Sequence, residues 1–236
     1  MIVYGRNAVR EALRGRRTVA RVWAGERVAR EPWLRDAPVE RAADAELEAL
    51  CGSPDHQGAC AEVSEFEYAD ARSLLAADDA LVLSLDQVTD PRNLGAVCRV
   101  AEAAGAAGVV VGERRSAHVT PVVCRASAGA VEHLPVARVR NLADFLRDAK
   151  EDGAWVYGAS TGPEAVPYDQ PDYRGRVVLV LGSEGRGLRP RVAASCDQLV
   201  ALPMLGNVES LNVSAAASAL VYGILHFVRT GLDRVP

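Results

Sequence analysis

The stretch ALVLSLD, residues 80–86, decides the fold. It is apolar at almost every position, with Ser84 the one polar residue ahead of Asp86. A strand with one wet face alternates polar and apolar side chains. A strand buried on both faces does not, and unbroken Val/Leu runs mark parallel strands covered by helices above and below. Residues 80–86 are therefore expected to be an interior strand of a parallel sheet. Outward from it, strand and helix patterns alternate. NLGAVCRVAEAAG reads as a helix with Gly105 past its end, GVVVG as a strand, NLADFLRDAKEDG as a helix and AWVYGAS as a strand. RVVLVLG follows as a strand, RPRVAASC as a helix, QLVALPM as a strand, and a last helix runs through SAAASALVYGILHFVRTGL. This is the pattern of a doubly wound parallel α/β domain over residues 80–236.

Upstream lies a smaller α/β unit, residues 1–65. GRNAVREALRG has Ala8, Val9, Ala12 and Leu13 at helical spacing, and VARVWA alternates like a strand. DAELEALCG reads as a helix closed by a glycine cap, and GACAEV, residues 58–63, as a closing strand. Residues 66–79 are acidic, with little strand character, and are the expected linker.

The 236 residues, 49% of them hydrophobic, can fill one large core or two small ones. No apolar run reaches membrane-spanning length, and the opening MIVYGR turns polar too soon for a signal peptide. Cys51, Cys60, Cys98, Cys124 and Cys196 are scattered without a CxxC, and the histidines at 56, 118, 133 and 226 lack ligand spacing. Neither a disulfide framework nor a metal site is expected, and a reducing cytoplasm is the expected compartment. The net charge of −4 gives no overall polyanion-binding signal. Residues 1–30 depart from it: Arg6, Arg10, Arg14, Arg16, Arg17, Arg21, Arg27 and Arg30 stand against Glu11 and Glu26. That excess suits a phosphate-contacting face or an ordinary solvated helix face.

In an open parallel sheet, ligands sit beyond the C-terminal strand ends. The loops there read DQVTDPRNLG, GASTG, LGSEGRGL and MLGNVESLN. LGSEGRGL has glycines at 182, 185 and 187, which let backbone approach a ligand, but matches neither GxGxxG nor a P-loop. Glu184 within it either bonds a ligand or caps the next helix. Asn93 sits where a helix begins, as a cap or a ligand contact. Arg99, six residues on, is expected to share its side of the helix and to need a partner on so apolar an element. In LPMLGNVESLNVSAAASALVYG, residues 202–223, a buried strand end (Leu202, Pro203, Met204) passes through a polar elbow into an Ala-rich helix. Ser210, Asn212 and Ser214 all stand where that helix starts, although one cap would suffice. The loops combine glycine backbone, hydroxyls, amides and one arginine, with no Ser–His or similar pair. Such a set binds a polar cofactor and stabilises negative charge.

DPRNLGAVCRVAEAAG, LVLGSEGRGL and LPMLGNVESLNVSAAASAL resemble, in order and spacing, the three motifs of the SpoU (TrmH-like) RNA ribose 2′-O-methyltransferases. YGRNAVREAL, HQGACAEV and TPVVCRASAGAVEHLPVARVRNL look like the subgroup that methylates a guanosine of bacterial 23S rRNA (RlmB-like). The resemblance covers nearly the whole chain. It implies a SPOUT catalytic domain with a C-terminal trefoil knot, a rare exception to unknotted folding. It also implies an N-terminal RNA-binding unit of the small ribosomal-protein α/β type, S-adenosylmethionine as cofactor, and a homodimer with the site near its interface. By position, Gly182, Leu202 and Leu211 would contact the cofactor, with Met204, Ala159 and Ser160 close by. Arg99 would be the central catalytic residue, with Asn93, Glu184 and Ser210 orienting it or the ribose, and Asn212 would join them in the catalytic set from the third motif. A guanidinium rarely gives up its proton, so Arg99 is expected to stabilise a developing alkoxide rather than act as a base. The 2′-hydroxyl target makes RNA, not DNA, the substrate. One departure is Gly223, where family members often carry Glu.

The alternatives are a SpoU enzyme for tRNA or another rRNA nucleotide, including the antibiotic-resistance type, and a non-catalytic RNA-binding protein of the same fold. The N-terminal unit argues against the short tRNA type, and the intact motif residues argue against the non-catalytic one. An NAD-linked dehydrogenase fails for want of GxGxxG.

Overall fold

The computed structural model describes residues 1–230. The N-terminal sheet comprises β1 (Ile2–Tyr4), β2 (Val19–Ala24), β3 (Val39–Arg41) and β4 (Ala59–Val63), in the order β1-β4-β2-β3. β4 pairs antiparallel with β1 and β2, and β3 lies parallel at the edge. Helix α1 (Arg6–Arg14) places Ala8, Val9 and Ala12 in one core with Val3, Val22 and Ala61. Helix α2 (Asp44–Cys51), ended by left-handed Gly52, puts Leu47 in a second core with Tyr4, Trp23 and Cys60. Both faces of this sheet are thus covered. That is why Val22, Trp23 and Ala24 are buried in succession instead of alternating.

The segment 66–79 has structure of its own. Arg72–Leu75 form a 3-10 turn, Leu74 and Leu75 are buried, and Ala69 bridges to Ala137. Tyr68 accepts from the Val119 N–H at 2.9 Å and carries the Arg138 guanidinium 4.0 Å from its ring centre.

The second sheet is parallel throughout, in the order β7-β6-β5-β10-β8-β11-β9. Its elements are β5 (Leu81–Asp86), α3 (Pro91–Ala103), β6 (Gly108–Gly112), α4 (Pro121–Ala126), β7 (Val136–Val139), α5 (Leu142–Glu151), β8 (Trp155–Ala159), β9 (Val166–Pro167), β10 (Val177–Gly182), α6 (Pro190–Ala193), β11 (Gln198–Ala201) and α7 (Val213–Thr230). Every residue of β5 is buried. Leu81, Leu83 and Leu85 share a core with Leu94 and Val97 of α3 and Leu220 of α7, while Val82 joins Leu142 and Leu146 of α5 on the opposite face. The double winding expected from residues 80–86 is therefore present.

The details depart from the sequence reading in four places. Asp90, not Asn93, caps α3, accepting from the Arg92 N–H at 2.8 Å. α6 is a single turn. β11 stops at Ala201: Leu202 and Met204 are half-buried and Pro203 is exposed, so residues 202–212 form an open segment and not a buried strand end. β3, α4, β7 and β9 lie in stretches to which the sequence reading assigned no element.

Candidate active site

The C-terminal ends of β8, β10 and β11 surround a cavity of about 410 Å³. Its floor is apolar, with Leu181, Leu199, Val200 and Leu220. Gly182, Leu202, Leu211, Met204, Ala159 and Ser160 all line it, as do Glu184 and Ser210. Thr161, within the loop GASTG, and Glu164, two residues beyond it, line it as well and were missed. The cavity thus combines an apolar floor with hydroxyls and the carboxylates of Glu164, Glu184 and Glu209.

The capping question at the elbow has a definite answer. Asn212 caps α7, its Oδ1 accepting from the Ser214 N–H at 2.8 Å and the Ser214 hydroxyl at 2.6 Å. Its amide nitrogen is free for a second task, donating to Asn93 Oδ1 at 3.1 Å and to Glu184 Oε1. Asn93 Nδ2 donates to the same Glu184 oxygen at 2.8 Å. The carboxylate, an acceptor only, thus takes an amide donor from each side. One residue from each motif meets at the mouth of the cavity. Ser210 lies on the rim, exposed and without a hydrogen-bond partner among the described residues.

The glycine loop is shaped mainly by its own closure. A Cβ on Gly182 would lie 2.2 Å from the Gly187 carbonyl carbon, because the Gly187 N–H donates back to the Ser183 carbonyl at 2.9 Å. Gly185 and Gly187 hold φ of 76° and 64°, the left-handed region that glycine enters without strain. The loop's exit is pinned by Asp86, only 1% exposed at the end of β5. Asp86 accepts from the Arg189 N–H at 2.8 Å and from Arg189 Nε at 2.7 Å. This anchor was also missed in the sequence.

Arg99 stands apart. It is exposed and lines a different cleft, with Gly5, Asp55, Gln57, Arg92 and Arg125. Its side chain has no hydrogen bond or ion pair among the described residues, and being exposed it is not a buried charge in need of compensation. Six residues advance a helix by 600°, leaving Arg99 about 120° from Asn93, whereas Arg92 at seven residues shares its face. The expected common side is corrected accordingly. Gly223 also has a local reason: its Cβ would come within 2.7 Å of the Tyr168 ring.

The thiols of Cys98, Cys124 and Cys196 offer no nucleophile. Burial pushes Cys98 and Cys196 up to about 12 and Cys124 to about 11. No group of three or more potential metal ligands converges among the described residues.

A parallel α/β domain with such a cavity beyond the carboxyl ends of its strands is a ligand-binding domain of the open-sheet class. More particularly, the chain belongs to the SpoU rRNA methylase family, whose model matches residues 80–222, while residues 2–69 match a model described as RNA 2′-O ribose methyltransferase substrate binding. It is an S-adenosylmethionine-dependent RNA methyltransferase. A Bacillus subtilis protein named as a TrmH family tRNA/rRNA methyltransferase is 37% identical over 94% of this chain and 94% of its own length. A Synechocystis protein named as a tRNA/rRNA methyltransferase is 36% identical over 99% of this chain, which spans 64% of that relative's length. The SpoU methyltransferase AviRb of Streptomyces viridochromogenes, crystallised with its cofactor AdoMet, is 26% identical, with a TM-score of 0.78 over 99% of this chain and 91% of that one.

Proposed function

We propose that this protein methylates a ribose 2′-hydroxyl of RNA, the target being a guanosine of 23S rRNA. The observation that carries the reading is the convergence of Asn93, Glu184 and Asn212 at the mouth of a cavity lined by every residue expected to hold the cofactor. When bound there, S-adenosylmethionine supplies an electrophilic methyl group on a sulfonium. Leu181, Leu199 and Leu220 would hold the apolar part of the cofactor, and the loop from Gly182 would close on it. Glu184, held by two amides, and Ser210, whose hydroxyl is unpaired, position the ribose. Transfer would break the sulfonium S–CH3 bond, its electron pair returning to sulfur as a neutral thioether, while the 2′-oxygen would take the methyl group and give up its proton to solvent or a substrate phosphate; Arg99 would stabilise the negative charge that develops.

In a single chain Arg99 and the cavity open into different clefts. The reading therefore includes a homodimer in which Arg99 of one copy serves the cavity of the other. Leu205, Val208 and Tyr222, exposed by 98%, 69% and 52%, are apolar surface that a second copy would cover. It also includes the family's trefoil knot through residues 202–212, RNA binding by residues 1–65, transfer by residues 80–236 with 66–79 between, and a cytoplasmic location suited to free thiols. Among the described residues no helix is long and apolar enough to cross a membrane.

The test is methyl transfer from labelled S-adenosylmethionine to total RNA, with the product nucleoside identified by mass. 2′-O-methylguanosine in 23S rRNA is expected. Label in tRNA or at another rRNA nucleotide would move the target. No label in any RNA would overturn the activity.

A further inference from the structure

Two clefts meet on the face shared by the N-terminal unit and helices α3 and α4. One, of about 560 Å³, is lined by Arg6, Arg10, Arg27 and Trp33. The other, of about 470 Å³, is lined by Arg92, Arg99 and Arg125. Asn7 and Gln57 line both, so the two form one trough. It gathers these arginines against only Glu31 and Asp55, on a chain whose net charge is −4.

Some of this charge is already paired. Arg6 bonds Glu31, and Arg10 donates to Glu11 at 2.8 Å. Arg27, Arg92 and Arg99 have no side-chain partner among the described residues, and Arg125 has a buried Nε without one. Gly5, at φ 95°, makes room for Arg125: a Cβ there would lie 2.9 Å from Arg125 Cδ. Unpaired guanidiniums along a groove seek bidentate anionic oxygens spaced along a chain. Trp33 adds a half-buried indole to the lining of the first cleft. Cations interleaved with an aromatic wall are the arrangement that binds unpaired nucleotides, phosphates on the arginines and a base on the ring.

We infer that the trough is the track of the substrate strand. An unpaired nucleotide of the RNA stacks on Trp33, and the strand runs past Arg27, Asn7, Gln57 and Arg125 to Arg99. This rests on the RNA-methylating reading above and adds where, and in what form, the RNA is held. It also gives Arg99 a substrate phosphate for a neighbour.

The test is equilibrium binding of a short single-stranded RNA and of the same sequence as a duplex, at several salt concentrations, with no methyl transfer needed. Arg27→Gln, at an exposed site, should weaken single-strand binding several-fold and lower the salt slope by about 0.7. Trp33→Ala should weaken it about ten-fold with little effect on the duplex, and Trp33→Phe should restore most of the affinity. Cofactor binding by calorimetry should be unchanged in all three. Wild-type affinity in Arg27→Gln and Trp33→Ala, or equal losses for duplex and single strand, would overturn the track. If the wild type transfers no methyl yet these variants lose RNA, the track stands and the activity falls. If the wild type transfers methyl and these variants bind normally, the track alone falls.

Discussion

Glu132→Ala should cost this protein more stability than most single substitutions. Arg17 Nε donates to Glu132 Oε2 at 2.8 Å, and Arg17 Nη2 to Glu132 Oε1. The two side chains are 7% and 0% exposed. Burial pulls the Arg17 guanidinium's pKa down, but the Glu132 hydrogen bond and charge more than reverse this, and the net shift is upward. A guanidinium does not give up its proton at ordinary pH, so Arg17 stays charged when its partner is removed. It would keep only the Ser64 carbonyl at 3.3 Å, the sulfurs of Met1 at 3.4 Å and Cys124 at 3.5 Å, and the Phe66 ring at 5.8 Å. Stranding one charge of a buried pair costs about 3–5 kcal/mol, a large part of the ~5–15 kcal/mol that holds a domain folded. With a urea slope of about 2 kcal/mol per molar, the unfolding midpoint should fall by roughly 2 M. Removing both charges should not cost the sum. Arg17→Met with Glu132→Leu exchanges the pair for apolar volume and should recover most of the loss. The assay is urea unfolding of the wild type, both single variants and the double variant. A shift below about 0.5 M for Glu132→Ala, or a double variant no more stable than that single, would refute the reasoning. Arg17 belongs to the N-terminal unit and Glu132 follows α4, so the same variant should also loosen the junction between the two parts.

Arg99→Ala should lower methyl-transfer turnover about 10²–10³-fold with cofactor affinity unchanged, since Arg99 lies outside the cavity, and near-normal turnover would remove its assigned role. Asn212→Ala removes the α7 cap and two bonds of the amide–carboxylate cluster; it should cost about 0.5–2 kcal/mol by thermal melting and weaken cofactor binding in calorimetry. Gly182→Ala places a methyl 2.2 Å from the Gly187 backbone, so the loop must refold and cofactor binding should fail while the parallel sheet, followed by circular dichroism, survives. Stability should fall from pH 9 upward, because the unfolded thiols ionise near their ordinary 9.0 while burial holds Cys98 and Cys196 to about 12 and Cys124 to about 11. The unfolded state then binds fewer protons, so the slope with pH is negative, and a flat urea midpoint between pH 8 and 10.5 would contradict it.

The fold was legible where burial was uniform along an element. Residues 80–86 and 177–182 are buried on both faces of the sheet, so their composition alone announces parallel strands. The missed elements are those whose identity depends on a neighbour. β9 has two residues and exists because Val166 and Pro167 find the edge of β11. β3 is similarly short and pairs only with β2. α4 is short and follows a polar stretch, yet its Val123 and Cys124 are wholly buried against the first-sheet unit and α3. In VARVWA the alternation was a poor guide for the opposite reason: helix α2 covers the face that was expected to be wet.

The candidate site divides along the same line. Contacts made by a loop at its own strand end follow from the order of the motifs, and every expected cofactor residue does line the cavity. Contacts that need two distant segments to meet do not. LNVS offers Asn212 as a cap for α7, but nothing in it announces that the amide nitrogen reaches Asn93, 119 positions away. Nothing near Asp86 announces Arg189, 103 positions away, as the pin of the glycine loop. Arg99 is the instructive failure, because the geometry that misplaced it was local. Six helical residues span more than one and a half turns, so Arg99 turns away from Asn93 and toward Arg92 and Arg125. On a helix whose other flanks are buried, an exposed arginine aimed away from the cavity has no work to do for its own chain's ligand. On the proposed reading, what is brought to it comes from outside the chain: a strand of substrate RNA in the trough, and the cavity of a second copy beyond.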